Sequence, residues 1–141
     1  MGDKKGHEVD SRDVSEFFSQ LEALHPGLRE AAERARDEWH PDSVPPTFLA
    51  GEIAVGMARS APADFSDHEL LTLCEFVEKA LHDESQAVRE IIATGFLEGL
   101  MGEASAGRFD FTRLSAFLGP ETKKYCRAWD EFTGARTPGL A

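Results

Sequence analysis

Apolar residues along this chain recur at helical spacing, and polar or proline-containing breaks cut the pattern into segments. Val14, Phe17, Phe18, Leu21 and Leu24 follow Asp13-Val-Ser-Glu16, whose first and last residues have the spacing of a helix start. His25-Pro26-Gly27 closes that segment, and Leu28 to Trp39 opens another, in which Glu30 and Arg34 stand four apart on an exposed face. Three prolines within His40-Pro-Asp-Ser-Val-Pro-Pro46 predict a loop. A mostly apolar helix is expected from Thr47 to Ala58, where Gly51 and Gly56 either weaken it or admit a close neighbour.

The clearest start signal is Phe65-Ser-Asp-His-Glu-Leu70. Ser66 with Glu69 has the spacing of a capping box, and Phe65 with Leu70 that of a hydrophobic staple. The helix that follows is amphipathic, with Leu70, Leu73, Cys74, Val77, Ala80 and Leu81 on one face. After a break at Asp83-Glu84-Ser85, Val88, Ile91, Ile92, Phe96 and Leu100 form one stripe, and Ala93, Leu97 and Met101 lie off it. A helix apolar on more than one side is covered on both, so residues 86–101 are expected to form the central helix. A loop from Glu103 to Gly107, a short helix from Asp110 to Leu118 and a last helix from Glu121 to Phe132 complete the series. Tyr125, Trp129 and Phe132 share a stripe of that last helix and read as core contacts.

The expectation is an all-α fold of about seven helices, a single-domain bundle or short solenoid-like stack. Residues 1–12 are expected to be a flexible N-terminus, 13–132 one helical domain and 133–141 a flexible tail. Its length of 141 residues suits one domain, and the 41% apolar fraction is that of a globular protein. No apolar run approaches the ~20 residues needed to span a bilayer, and Met1–Asp13 lacks the apolar stretch of a secretory signal. Cys74 and Cys126 lie within helical patterns, as reduced, buried thiols would. These features predict a soluble, cytoplasmic protein.

Charge changes the picture. There are 15 basic and 26 acidic residues, a net charge of −11. Between Asp64 and Glu103, ten acidic residues face only Lys79 and Arg89. Such a field repels nucleic acid and anionic membranes and speeds encounter with basic partners, although acidic side chains also serve simply to solvate helices.

Chemistry is sparse. No phosphate-binding glycine loop, nucleophile elbow, zinc-binding His-Glu-x-x-His or Cys-x-x-Cys pair occurs. His68 and His82 are fourteen residues apart on one helix, about 20 Å at 1.5 Å per residue, too far to share a metal. Neither an enzyme activity nor a cofactor is expected. Trp39, ending a charged helix before the proline loop, either covers the core or anchors a partner.

The succession Glu-Leu-Leu-Thr-Leu-Cys-Glu-Phe-Val-Glu-Lys-Ala-Leu (69–81), an acidic break, Val-Arg-Glu-Ile-Ile-Ala-Thr-Gly-Phe-Leu-Glu-Gly-Leu (88–100) and the later Leu-Gly-Pro (118–120) resembles the core of small helical bacterial proteins, several of them similar to immunity proteins of polymorphic toxin systems. The resemblance covers residues 14–132 and implies a cytoplasmic protein that binds and neutralises a cognate toxin, with no catalytic residues to carry over. Resemblance and charge together place the expected partner-binding surface at Glu75, Glu78, Asp83 and Glu84, with Asp37, Glu38, Trp39 and Asp42 as a second contact. The partner would be a basic toxin or effector protein. The alternative is an adaptor or chaperone that loads a secreted effector.

Overall fold

Local signals start two of the helices where the sequence places them, after Ser66 and Ser85. A computed structural model describes residues 2–60, 64–83 and 85–140. Seven helices lie among them, and no strand: α1 (Gly2–Ala23), α2 (Pro26–Trp39), α3 (Pro46–Ser60), α4 (Asp67–Leu81), α5, α6 (Phe111–Ser115) and α7 (Pro120–Thr133). Helix α5 is one run in three parts, α-helical over Gln86–Glu90, π-helical over Ile91–Leu97 and α-helical again over Glu98–Ser105. The chain is an all-α bundle, and none of its described helices is long and apolar enough to cross a membrane.

The capping box forms as the spacing requires. The Glu69 N–H donates to Ser66 Oγ at 3.1 Å, the Ser66 N–H donates to Glu69 Oε1 at 2.8 Å, and Phe65 and Leu70 are both buried. Ser85 caps α5 by accepting the Val88 N–H. His25 does more than end α1. Its Nδ1 accepts the Gly27 N–H at 2.9 Å, capping α2, while Nε2 donates to the Asp64 carbonyl at 3.0 Å and the ring stacks on Phe65 at 3.8 Å. One imidazole therefore ties the α1–α2 turn to the start of α4.

Helix α5 is central, as its two-sided apolar pattern demands. It packs on α1, α3, α4 and α7, and Ile92, Phe96, Leu97, Leu100 and Met101 are buried. Its closest partner is α3, which also carries α2 on its other side. Glycine permits that approach. A Cβ at Gly95 would stand 2.6 Å from the Thr47 carbonyl oxygen and 2.9 Å from Ala50 Cβ. A Cβ at Gly56 would meet Ala31 Cβ at 2.6 Å. The α3 glycines thus admit close neighbours rather than merely weakening the helix.

Several expectations give way to longer-range contacts. Helix α1 begins at Gly2 rather than near Asp13, since no proline interrupts the residues upstream. Helix α5 continues to Ser105 through the expected loop, because Glu103 is buried with its carboxylate held by Arg108 Nε at 2.6 Å and Arg59 Nη2 at 3.4 Å. The hydrogen bond from Arg108 outweighs burial and, with the Arg59 charge, keeps this carboxyl below its ordinary pKa.

The C-terminal segment also departs from the expected flexible tail. The Thr137 N–H and hydroxyl donate to the Asp130 carboxylate at 2.8 and 2.7 Å, Arg127 Nε donates to the Leu140 carbonyl at 2.9 Å, and Leu140 is buried. Phe132 corrects the sequence reading in the opposite sense. It continues the Tyr125–Trp129 stripe but is 91% exposed, because no neighbour covers the last turn of α7 there.

Candidate partner-binding surface

The acidic residues divide into those with internal duties and those without. Among the eight partner-binding candidates, Glu78 is the most heavily engaged. Its Oε1 accepts the Thr122 N–H at 2.9 Å and the Thr122 hydroxyl at 2.8 Å, while Oε2 accepts the Glu121 N–H at 3.1 Å and lies 3.2 Å from His82 Nε2. A carboxylate from α4 therefore occupies the positive N-terminus of α7, which opens on Gly119 with no side-chain cap of its own. Burial alone would raise this carboxyl, but the Thr122 and Glu121 donors and His82 prevail and hold it below the ordinary range.

Asp83 is half-buried, and its Oδ1 accepts the Ser85 N–H at 2.8 Å, fixing the turn between α4 and α5. It faces Asp13, Glu16 and Lys79 across a cleft of about 220 Å³. Glu75 is exposed on α4, and Glu84 lies outside the described residues. The α4 group is thus not one free acidic face, since two of its members hold the fold together.

The second group is arranged differently. Asp37, Glu38 and Asp42 are exposed and form no ion pair among the described residues, in contrast to Glu22, Asp67 and Glu103. The Asp42 N–H donates to the Trp39 carbonyl at 2.8 Å, which closes the turn after α2 and keeps Asp42 beside the tryptophan. Trp39 is half-buried. Its ring packs at 5.4 Å on Phe48, itself 46% exposed, rather than joining Tyr125 and Trp129 against the core. Phe48, Leu71 and Phe132 are the large exposed apolar side chains among the described residues, and Phe48 alone of these stands against another aromatic ring.

Phe48 also forms a wall of an open groove of about 430 Å³ between α3 and α5. Thr47, Gly51, Val55, Thr94, Gly95 and Gly99 complete its apolar lining, and Glu52 stands at its edge. On the other side of Glu52 and Val55, a cleft of about 370 Å³ separates α3 from α2, with Arg34, Glu38 and Arg59 around it. Phe48, Glu52 and the groove were not anticipated from sequence. A usable signal exists, because Glu52 is the sole acidic residue of α3 and follows Phe48 by four and precedes Val55 by three, placing all three on one face.

The two cysteines supply no reactive group. Burial pushes the thiols of Cys74 and Cys126 up to about 12. Tyr125 donates to Glu98 Oε2 at 2.6 Å, and burial followed by that carboxylate raises its pKa.

No curated protein and no solved structure matches the chain. The model of the family described as Domain of unknown function (DUF7674) matches residues 18–134, from the first buried turn of α1 to the glycine that ends α7, and the chain belongs to that family.

Proposed function

We propose that this DUF7674 protein is an immunity protein: a stoichiometric inhibitor, not an enzyme, that binds and neutralises a cognate bacterial toxin domain in the cytoplasm. The reading rests on one observation. Asp37, Glu38 and Asp42 lie within three residues of the half-buried Trp39, Glu52 stands one helical turn from its exposed ring partner Phe48, and none of the four forms an ion pair among the described residues at this α2–α3 corner. Aromatic anchors supply affinity when a partner desolvates them, and surrounding charge sets encounter rate and partner choice. A net charge of −11 favours a basic partner, such as a toxin whose cleft binds nucleic acid, and opposes direct contact with nucleic acid or anionic membrane. The helical core's resemblance to immunity proteins of polymorphic toxin systems points the same way.

The test is co-expression of the tagged protein with the product of the gene immediately upstream. A stable complex together with restored growth supports inhibition. A complex without restored growth supports the alternative, an adaptor or chaperone for a secreted effector. No complex and no protection overturn the proposal.

A further inference from the structure

We infer that the α3–α5 groove receives an amphipathic helix of the partner, with a bulky apolar side chain seated over Gly51, Gly95 and Gly99 and a lysine or arginine beside it paired with Glu52. This inference rests on the proposal that the α2–α3 corner is the partner-binding surface. It adds the form of the ligand.

The groove's shape argues for a helix. Its α3 wall runs from Thr47 to Val55, a rise of about 12 Å at 1.5 Å per residue, which spans two helical turns of a ligand. Gly51, Gly95 and Gly99 lie where α3 and α5 touch, their Cβ positions turned into that contact, and they bring the two helices close enough to make a shallow apolar floor flanked by Phe48 and Val55. An amphipathic helix laid by its apolar face into an apolar groove is a recurrent mode of recognition, and a groove of this length between two helices suits it.

Charge supplies the second requirement. Glu52 forms no ion pair among the described residues, although it stands between an apolar groove and a cleft holding Arg34 and Arg59. Glu38 lines that same cleft, and Asp37 and Asp42 flank Trp39 in the chain. A cation lying along the groove edge would meet Glu52 first, with Glu38 beyond it in a cleft that also holds Arg34 and the Glu103-paired Arg59, and an apolar wall on the α5 side. A purely apolar helix would leave Glu52 without a partner at the rim, and an acidic one would be repelled.

The test uses the isotopically labelled protein and a synthetic peptide of leucine and lysine patterned as an amphipathic helix. Two further peptides, one with serine replacing leucine and one with glutamate replacing lysine, serve as comparisons. Amide shifts on titration should centre on Thr47, Phe48, Val55, Thr94 and Gly95. The serine and glutamate peptides should each bind at least about tenfold more weakly, as should the leucine–lysine peptide to Phe48→Ser and to Glu52→Lys. Glu52→Gln should weaken binding less than Glu52→Lys, and circular dichroism should show all variants folded.

Shifts centred on the Glu75 face of α4, or equal binding of the serine peptide, would overturn the groove assignment. Peptide binding in the groove without growth protection in cells would instead count against the inhibitor proposal alone.

Discussion

Replacing Gly95 by alanine tests the packing that builds the groove. In an unobstructed helix this change stabilises, because alanine is favoured over glycine by about 0.5–1 kcal/mol. Here the new Cβ would sit 2.6 Å from the Thr47 carbonyl oxygen and 2.9 Å from Ala50 Cβ, both on the facing helix. Neither is the end of a flexible side chain, so α3 and α5 must separate by several tenths of an ångström or more. Overpacking of this kind costs about 1–3 kcal/mol, and mid-range values, about 2 less a helical gain of about 0.75, leave Gly95→Ala destabilised by about 1 kcal/mol.

Gly102 is the internal control, since a Cβ there meets nothing within 4 Å, and Gly102→Ala should show the helical gain alone. Two positions lie between. At Gly51 the Cβ would be in ordinary contact, 3.5 Å from the Gly95 carbonyl oxygen, and at Gly99 it would be tight against Ala54 Cβ at 3.1 Å. The predicted order of stability is therefore Gly102→Ala, Gly51→Ala, Gly99→Ala and last Gly95→Ala. In urea, at a slope of about 2 kcal/mol per molar, Gly95→Ala lowers the unfolding midpoint by about 0.5 M and Gly102→Ala raises it by about 0.3–0.5 M. A midpoint for Gly95→Ala equal to or above that of the unmodified protein would refute the close α3–α5 contact.

The remaining predictions concern charge, thiols and the exposed ring of Phe48. Glu78→Ala should destabilise by about 1 kcal/mol, the scale of a solvent-screened carboxylate at a helix N-terminus, and hydrogen exchange should rise first at Glu121 and Thr122. Glu69, Glu78 and Glu103 all have lowered pKa values, so their stabilisation is complete above the unfolded glutamate value of about 4.3 and is lost as pH falls through the folded values. Urea midpoints should therefore be flat near neutrality and drop below about pH 4, less steeply in Glu103→Gln. The buried thiols of Cys74 and Cys126 should resist a thiol reagent in the native protein and react fully in urea; rapid native labelling would contradict their placement. Phe48→Ala should leave the unfolding free energy within about 0.5 kcal/mol of wild type while weakening the partner complex, a combination expected of an exposed contact residue.

Much of this architecture is legible in the sequence because it is local. The Ser66–Glu69 box and the Phe65–Leu70 staple act within six residues, and the two-sided apolar pattern of 86–101 identifies the central helix without reference to any other segment. What escapes is the pairing of residues far apart. Glu78 looks like its neighbour Glu75 in the sequence, yet its carboxylate serves donors at positions 121 and 122. Glu103 looks like part of a solvated loop until Arg59 and Arg108 converge on it. His25 reads as a stop signal, but its second ring nitrogen reaches Asp64, 39 residues on.

The candidate surface was half legible for the same reason. Asp37, Glu38, Trp39 and Asp42 are close in sequence, so they could be grouped. Phe48, Glu52 and Gly95 join them only through the folding of α3 against α2 and α5. The group at Glu75, Glu78, Asp83 and Glu84 rests on resemblance and charge density, and neither distinguishes a solvated carboxylate from one that caps a helix.

The account's central claim is that a basic partner docks on the α2–α3 corner. The most direct measurement compares the affinity of the partner complex for two charge-reversed proteins, one with Asp37, Glu38, Asp42 and Glu52 changed to lysine and one with Glu75 and Glu121 so changed. The corner variant should lose affinity at least about a hundredfold and shed the salt dependence of binding, while the second variant stays within about tenfold of the unmodified protein. Unchanged affinity in the corner variant, with loss in the other, would contradict the claim.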